Sequence, residues 1–202
     1  LPGAFTCEEY SSVMKVLRHA CAGNLLNAQL LTDLNVPQAV RKIVSVEYAK
    51  YLEEKERSYD KAPPTGGVSD TNMFSDATSA SEAQMRSLLT LATQVLANYS
   101  SCRDPAIASN SVRRPAPAAS LWALGGVDFF SSLLNMAVSL SAQRALSAAF
   151  AALHNCLLCP PLEAGAEVAA SRQLCCQMAL SVVDLKFAEV TASSSSGSGA
   201  SS

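Results

Sequence analysis

Residues 16–44 read VLRHACAGNLLNAQLLTDLNVPQAVRKIV. Nearly every residue favours helix, yet Gly23-Asn24 and Asn35 break the run twice. The stretch therefore holds the end of one helix, a short second helix over 25–34 and the start of a third. The first begins upstream, where Thr6-Cys7-Glu8-Glu9 has the form of a capping box. In that motif the Thr side chain accepts from a free backbone N–H and the Glu reaches back to the cap's own N–H. Behind the cap, Tyr10, Val13, Met14, Leu17 and Cys21 fall on one face at helical spacing. Asn35 is placed to cap the third helix, with Pro37 in its first turn, where a missing N–H is harmless. Val40, Ile43, Val44, Tyr48 and Tyr51 form that helix's apolar stripe, which runs out in a charged end at 53–60.

A similar pattern returns later. LTDLNVPQAVRKIV (31–44) aligns without a gap on LWALGGVDFFSSLL (121–134). Leu31 matches Leu121 and Leu34 matches Leu124. Asn35 matches Gly125, both residues that tolerate a tight turn. Ala39-Val40 match Phe129-Phe130, and Ile43-Val44 match Leu133-Leu134. Upstream of each block lies a helix with a related ending, VLRHACAGN from Val16 and VLANYSSCR from Val95. A third ending, AALHNCLLCPP, begins at Ala151. The unit is thus a long helix, a polar break, a short helix, a small-residue turn and another apolar helix. One such unit cannot bury its apolar face alone, so repetition implies stacking. Leu17, Leu96 and Leu153 mark the endings, 79 and 57 residues apart. Both spacings exceed the roughly 40–47 residues of armadillo or HEAT units. Irregular stretches at 61–80 and 102–117 account for part of the excess.

Met85, Leu88, Leu89, Ala92, Val95, Leu96 and Tyr99 make the clearest amphipathic helix. Further helices are expected at 118–124, 127–140, 142–159 and 164–190. The organisation that follows is a first helical unit over 1–60, a flexible linker or loop over 61–80, and further helical repeats over 81–190. A disordered Ser/Gly tail covers 191–202. No strand is expected, and the chain can be one piece of a longer array, since it begins at Leu1.

Composition narrows the function. Of 202 residues, 49% are hydrophobic and 6% aromatic, and the net charge is -2. Helices packed through Ala, Leu and Ser suit this mixture, and nucleic-acid binding, which needs a positive excess, does not. The segment 118–140 is long enough to cross a bilayer and carries only Asp128. Gly125-Gly126 and its serines favour two buried helices, so no membrane span is expected. Seven cysteines, an odd number, and no leader pattern suit a reducing, cytoplasmic compartment.

Cys156, Cys159, Cys175 and Cys176 form the one cluster that could hold a metal, since four thiolates suit zinc. Adjacent cysteines serve one ion poorly, and Cys156 lies in an apolar stripe with Leu153 and Leu157. No metal and no cofactor is therefore expected. A compact helical bundle with a metal or small-molecule site near these cysteines is the alternative. The two histidines, His19 and His154, sit near the same place in their repeats and suggest packing or a groove more than a catalytic base. No phosphate loop or nucleophile–base arrangement occurs. The sequon Asn98-Tyr99-Ser100 reads as part of the repeat.

The endings Leu17-Arg18-His19, Leu96-Ala97-Asn98 and Leu153-His154-Asn155, each before a polar break and apolar helices, resemble armadillo repeats. VMKVLRHACAGNLLNAQLL (13–31) resembles in particular the N-terminal helical part of the ataxin-10 family. His19 stands where that family has Asn, and Asn27-Ala28-Gln29 where it has an adjacent Asn-Gln. The resemblance implies an all-α, armadillo-like α-solenoid of about three irregular repeats. It implies a noncatalytic scaffold that binds protein partners on a concave helical surface, in cell division or signalling in a eukaryote. It places Asn98 and Asn155, with His19 as a variant, where an amide meets an extended peptide backbone.

Overall fold

The computed structural model describes residues 5–60, 71–102, 116–158 and 173. The chain divides into two compact units, Leu1–Pro160 and Pro161–Ser202, and every helix described below lies in the first. The described residues are helical and contain no strand. In order they form α1 (Cys7–Ala20), α2 (Leu25–Asp33), α3 (Val36–Asp60), α4 (Thr71–Ser101), α5 (Pro117–Trp122), α6 (Gly126–Ser139) and α7 (Gln143–Leu158).

Local chemistry sets the boundaries. Thr6 Oγ1 accepts from the Glu9 N–H while the Glu9 carboxylate accepts from the Thr6 N–H, so the capping box is complete. Asn24 caps α2 by accepting from the Asn27 N–H. Asn27 in turn donates to the Ala20 carbonyl, closing the end of α1. Asn35 and Gly125 occupy the matching turns, at φ 54 and φ 145. Asn35 acts there through its left-handed backbone, and its carbonyl accepts the first hydrogen bond of α3, from Ala39.

The helix α4 begins at Thr71, inside the stretch expected to be linker. Its Ser, Thr and Asp content resembles a loop, but no Gly or Pro occurs from Val68 to Ser101 to stop a helix propagating backwards. The remainder of that linker, residues 61–70, lies outside the described residues, as do 103–115, most of 159–190 and the Ser/Gly tail.

The order short, medium, long occurs twice, as α2-α3-α4 and α5-α6-α7. The helix α4 is the hub, packing against α1, α3, α5 and α7. Its whole expected stripe is buried, from Met85 to Tyr99, and Leu91, Thr93 and Ser100 are buried as well. A helix covered on several sides needs its polar groups paired. Thr93 and Ser100 donate to carbonyls of their own helix, and Tyr99 shares a hydrogen bond with Thr32 of α2. The helix α7 buries Ala145, Ala149, Ala152, Leu153 and Cys156, a mostly small-residue face against which α4 can pack closely. The α3 and α6 side is tied by Tyr48 to Ser139 and by Arg41, which donates to the Leu124 carbonyl and stacks on the Phe129 ring.

The stripe of α1 is only partly covered. Met14 and Cys21 are fully buried, Tyr10 and Leu17 half-buried, and Val13 exposed. The three motif leucines therefore do not share one environment. Leu96 and Leu153 are core, and Leu17 is at an edge.

Candidate functional site

Three helices carry the motif endings, and the structure sets them side by side in the order α1, α4, α7. Asn98 Nδ2 donates to the Arg18 carbonyl at 2.9 Å. Asn155 Nδ2 donates to the Ala97 carbonyl at 3.4 Å and to Ser100 Oγ at 3.2 Å. Arg18 and Ala97 hold the same place in Leu17-Arg18-His19 and Leu96-Ala97-Asn98. One bond is thus made twice, from the motif amide of each helix to the motif carbonyl of the helix before it. This fixes a common register for the three helices.

Both asparagines are half-buried. Each side chain has its Nδ2 engaged on the neighbouring helix. The reason is physical: an amide at the seam of two packed helices finds an unshared carbonyl lone pair nearer than any partner. His19 holds the corresponding position on α1. It is exposed, with Nε2 3.0 Å from the Arg18 guanidinium. The three residues therefore lie on one strip, with His19 at its α1 edge.

Two further residues belong to the strip. Arg18 Nη1 donates to Gln94 Oε1 at 2.9 Å, crossing from α1 to α4. Gln94 also lines an open recess with Gln143, Arg144, Ser147 and Ala148 of α7. Sequence reading missed both Arg18 and Gln94. The available signal was spacing: Gln94 precedes Asn98 by four residues, one helical turn on the same face.

Behind the strip, the ends of α1 and α4 are joined by thiols. Cys21 Sγ donates to the Val95 carbonyl at 3.6 Å, and Cys102 Sγ to the Cys21 carbonyl at 3.1 Å. Burial pushes the Cys21 thiol up to about 11, with Cys102 beside it adding to the shift. Burial also raises Cys102 and the Tyr99 phenol above their ordinary values. The folded chain holds the Cys21 proton more tightly than the unfolded chain. Its contribution to stability is complete below the ordinary thiol value near 9 and is lost as pH rises toward about 11. The urea midpoint is expected to fall across that window, with Cys102 and Tyr99 acting in the same direction. Midpoints that stay level or rise would contradict this account of the thiols.

Of the cysteine cluster, Cys156 is a buried residue of α7. Cys159, Cys175 and Cys176 lie outside the described residues. No helix among the described residues is long and apolar enough to cross a membrane. No family model matches the chain, and no curated protein or solved structure matches it.

Proposed function

We propose that the described helices form an armadillo-like array and that the chain is a noncatalytic protein-interaction scaffold. The strip on α1, α4 and α7 receives an extended segment of a protein partner. The observation that carries this reading is the repeated bond, Asn98 to the Arg18 carbonyl and Asn155 to the Ala97 carbonyl. A motif that makes the same contact at successive seams supports a stack in which each long helix is set on the last, as in a solenoid. Helices held in register present like positions in a row, a geometry that suits a chain lying across them. The scaffolding role in cell division or signalling, and a cytoplasmic setting, are part of the same proposal.

The amides then have two jobs. Removing either one deletes an inter-helix hydrogen bond, so Asn98→Ala and Asn155→Ala are each expected to cost about 0.5–1.5 kcal/mol of stability. Each is also expected to weaken peptide binding beyond the fraction unfolded. Urea titration and peptide affinity on the same variants separate the two effects.

The proposal itself is tested with peptides selected from a random display library on the full chain. Ser147 is exposed and lines the recess. Ser147→Trp should abolish binding of the selected peptides. Ser45→Trp, at an exposed position of α3, should not. The opposite pattern, or peptides indifferent to both changes, would remove the strip as the binding face.

A further inference from the structure

The charges on the strip are sorted. Beyond the first turn of α1 and the Glu82 turn of α4, the three helices carry Lys15, Arg18, Arg86 and Arg144 and no carboxylate over 11–20, 83–101 and Gln143–Leu158. Both histidines of the chain, His19 and His154, lie on these helices too, and both are exposed. Arg86 is neutralised by Glu82 at 2.6 Å. Lys15, Arg18 and Arg144 make no ion pair among the described residues, although the chain as a whole is negative at -2. Lys15 and Arg144 are exposed and Arg18 is half-buried. The uncompensated cations thus sit at the two ends of the strip, on α1 and α7, with the neutral Gln94 between them. The link is direct on one side, Arg18 to Gln94, and shared through the recess on the other, Gln94 with Arg144.

We propose that this face binds an acidic peptide in extended conformation, with one carboxylate on Lys15 and Arg18 and a second on Arg144. This rests on the peptide-binding reading above and names the class of partner. The register sets the spacing between the two carboxylates. Two helix-to-helix steps of about 8–10 Å separate α1 from α7. Arg144 lies roughly seven to ten residues toward the helix start from the positions that match Lys15 and Arg18, about 10–15 Å along the axis. The cations are then roughly 19–25 Å apart, which an extended chain spans in about six to eight residues. A residue six places on faces the same side in both a β-strand and a polyproline helix. The strip therefore selects carboxylates at i and i+6, with polar residues between them to meet Gln94. A nucleic acid fits less well, because its phosphates repeat far more closely than these cations do.

The test uses fluorescence anisotropy on the full chain. The probe is a fluorescein-labelled Pro/Ser peptide with Glu at i and i+6. Controls carry Lys at those positions, or the same two Glu placed adjacently, and a single-stranded oligonucleotide is the fourth ligand. The spaced Glu peptide is expected to bind most tightly and to weaken as salt rises. Arg18→Glu with Arg144→Glu should weaken it by roughly tenfold or more, a loss of the size charge reversal produces at a contact. If the Arg18 change unfolds the chain, Lys15→Glu with Arg144→Glu, both at exposed positions, carries the same test. Equal binding of the Glu and Lys peptides, blocked by Ser147→Trp, would overturn the charge rule and leave the strip as a peptide site. Indifference to the spacing of the two Glu residues would overturn the register. Tighter binding of the oligonucleotide would overturn the choice of a peptide. No binding by any probe, with display-selected peptides still bound at the strip, would overturn the acidic class alone. If selected peptides fail there too, the peptide-binding reading falls with it.

Discussion

Leu96→Ala is expected to lower the stability of the chain by about 2–5 kcal/mol, and Leu17→Ala by much less. The two leucines hold the same place in the motif, so sequence alone predicts equal losses. Their surroundings differ. Leu96 is 1% exposed, on the helix that packs against α1, α3, α5 and α7. Truncation there removes buried surface and leaves a cavity that several packed helices cannot all collapse to fill. Leu17 is half-buried on α1, between the exposed Val13 and Val16 side and the covered Met14 side. Water can occupy the space its side chain leaves. Leu153, buried on α7, should behave like Leu96. Urea unfolding curves with unchanged slopes would supply the three values. Equal losses at Leu17 and Leu96 would mean that the outer side of α1 is covered in solution.

The second large effect is expected at the turn into α6. Gly125→Ala should cost about 1–3 kcal/mol, the range for a side chain held in a sparsely populated backbone region. Gly125 has φ 145 and ψ 14, which residues with a Cβ avoid. Space is not the obstacle. An added Cβ would meet Arg41 Nη1 and Phe129 Cβ at 3.5 Å, ordinary contact. The cost comes from the backbone, and the chain can escape it only by shifting the start of α6. That shift would pull the Leu124 carbonyl from Arg41 and disturb the buried Phe129 and Phe130. Asn35→Gly is the matched control at the equivalent turn. Its φ of 54 already lies where Asn is tolerated, so the change should be small. Thermal melts of the two variants make the comparison, and a tolerated Gly125→Ala would contradict the turn geometry.

The sequence carried the local features well and the long-range ones poorly. Thr6 and Glu9 form their capping box because that chemistry spans three residues. The stripe from Met85 to Tyr99 is buried throughout because seven apolar positions at helical spacing leave little choice. Periodicity failed at Val13, which is exposed. It identifies which side of a helix is apolar, but not whether a neighbour arrives to cover it. The start of α4 was lost because Ser, Thr and Asp serve loops and helix starts equally well, and the absence of Gly and Pro was the better guide. At the strip, the motif comparison found Asn98, Asn155 and His19 but not the direction of their bonds. The acceptors lie 80 and 58 residues away in sequence, beyond any local pattern.

The hub position of α4 has a consequence for how the chain is made. Asn98 meets Arg18 across 80 residues. A ribosome adding roughly 5–20 residues per second takes about 4–16 s to synthesise that stretch. Emergence of α4 trails that of α1 by the same delay, and Met14 and Cys21, both fully covered in the finished fold, wait through it without the helix that buries them. The nascent chain therefore passes through a period in which α1 lacks the helix that covers it. Slow translation before α4 has emerged from the tunnel lengthens that period and raises the demand on chaperones, whereas slow translation after that does not. Soluble yield should then respond to synonymous codon changes in the segment leading to α4, with no change in the protein itself.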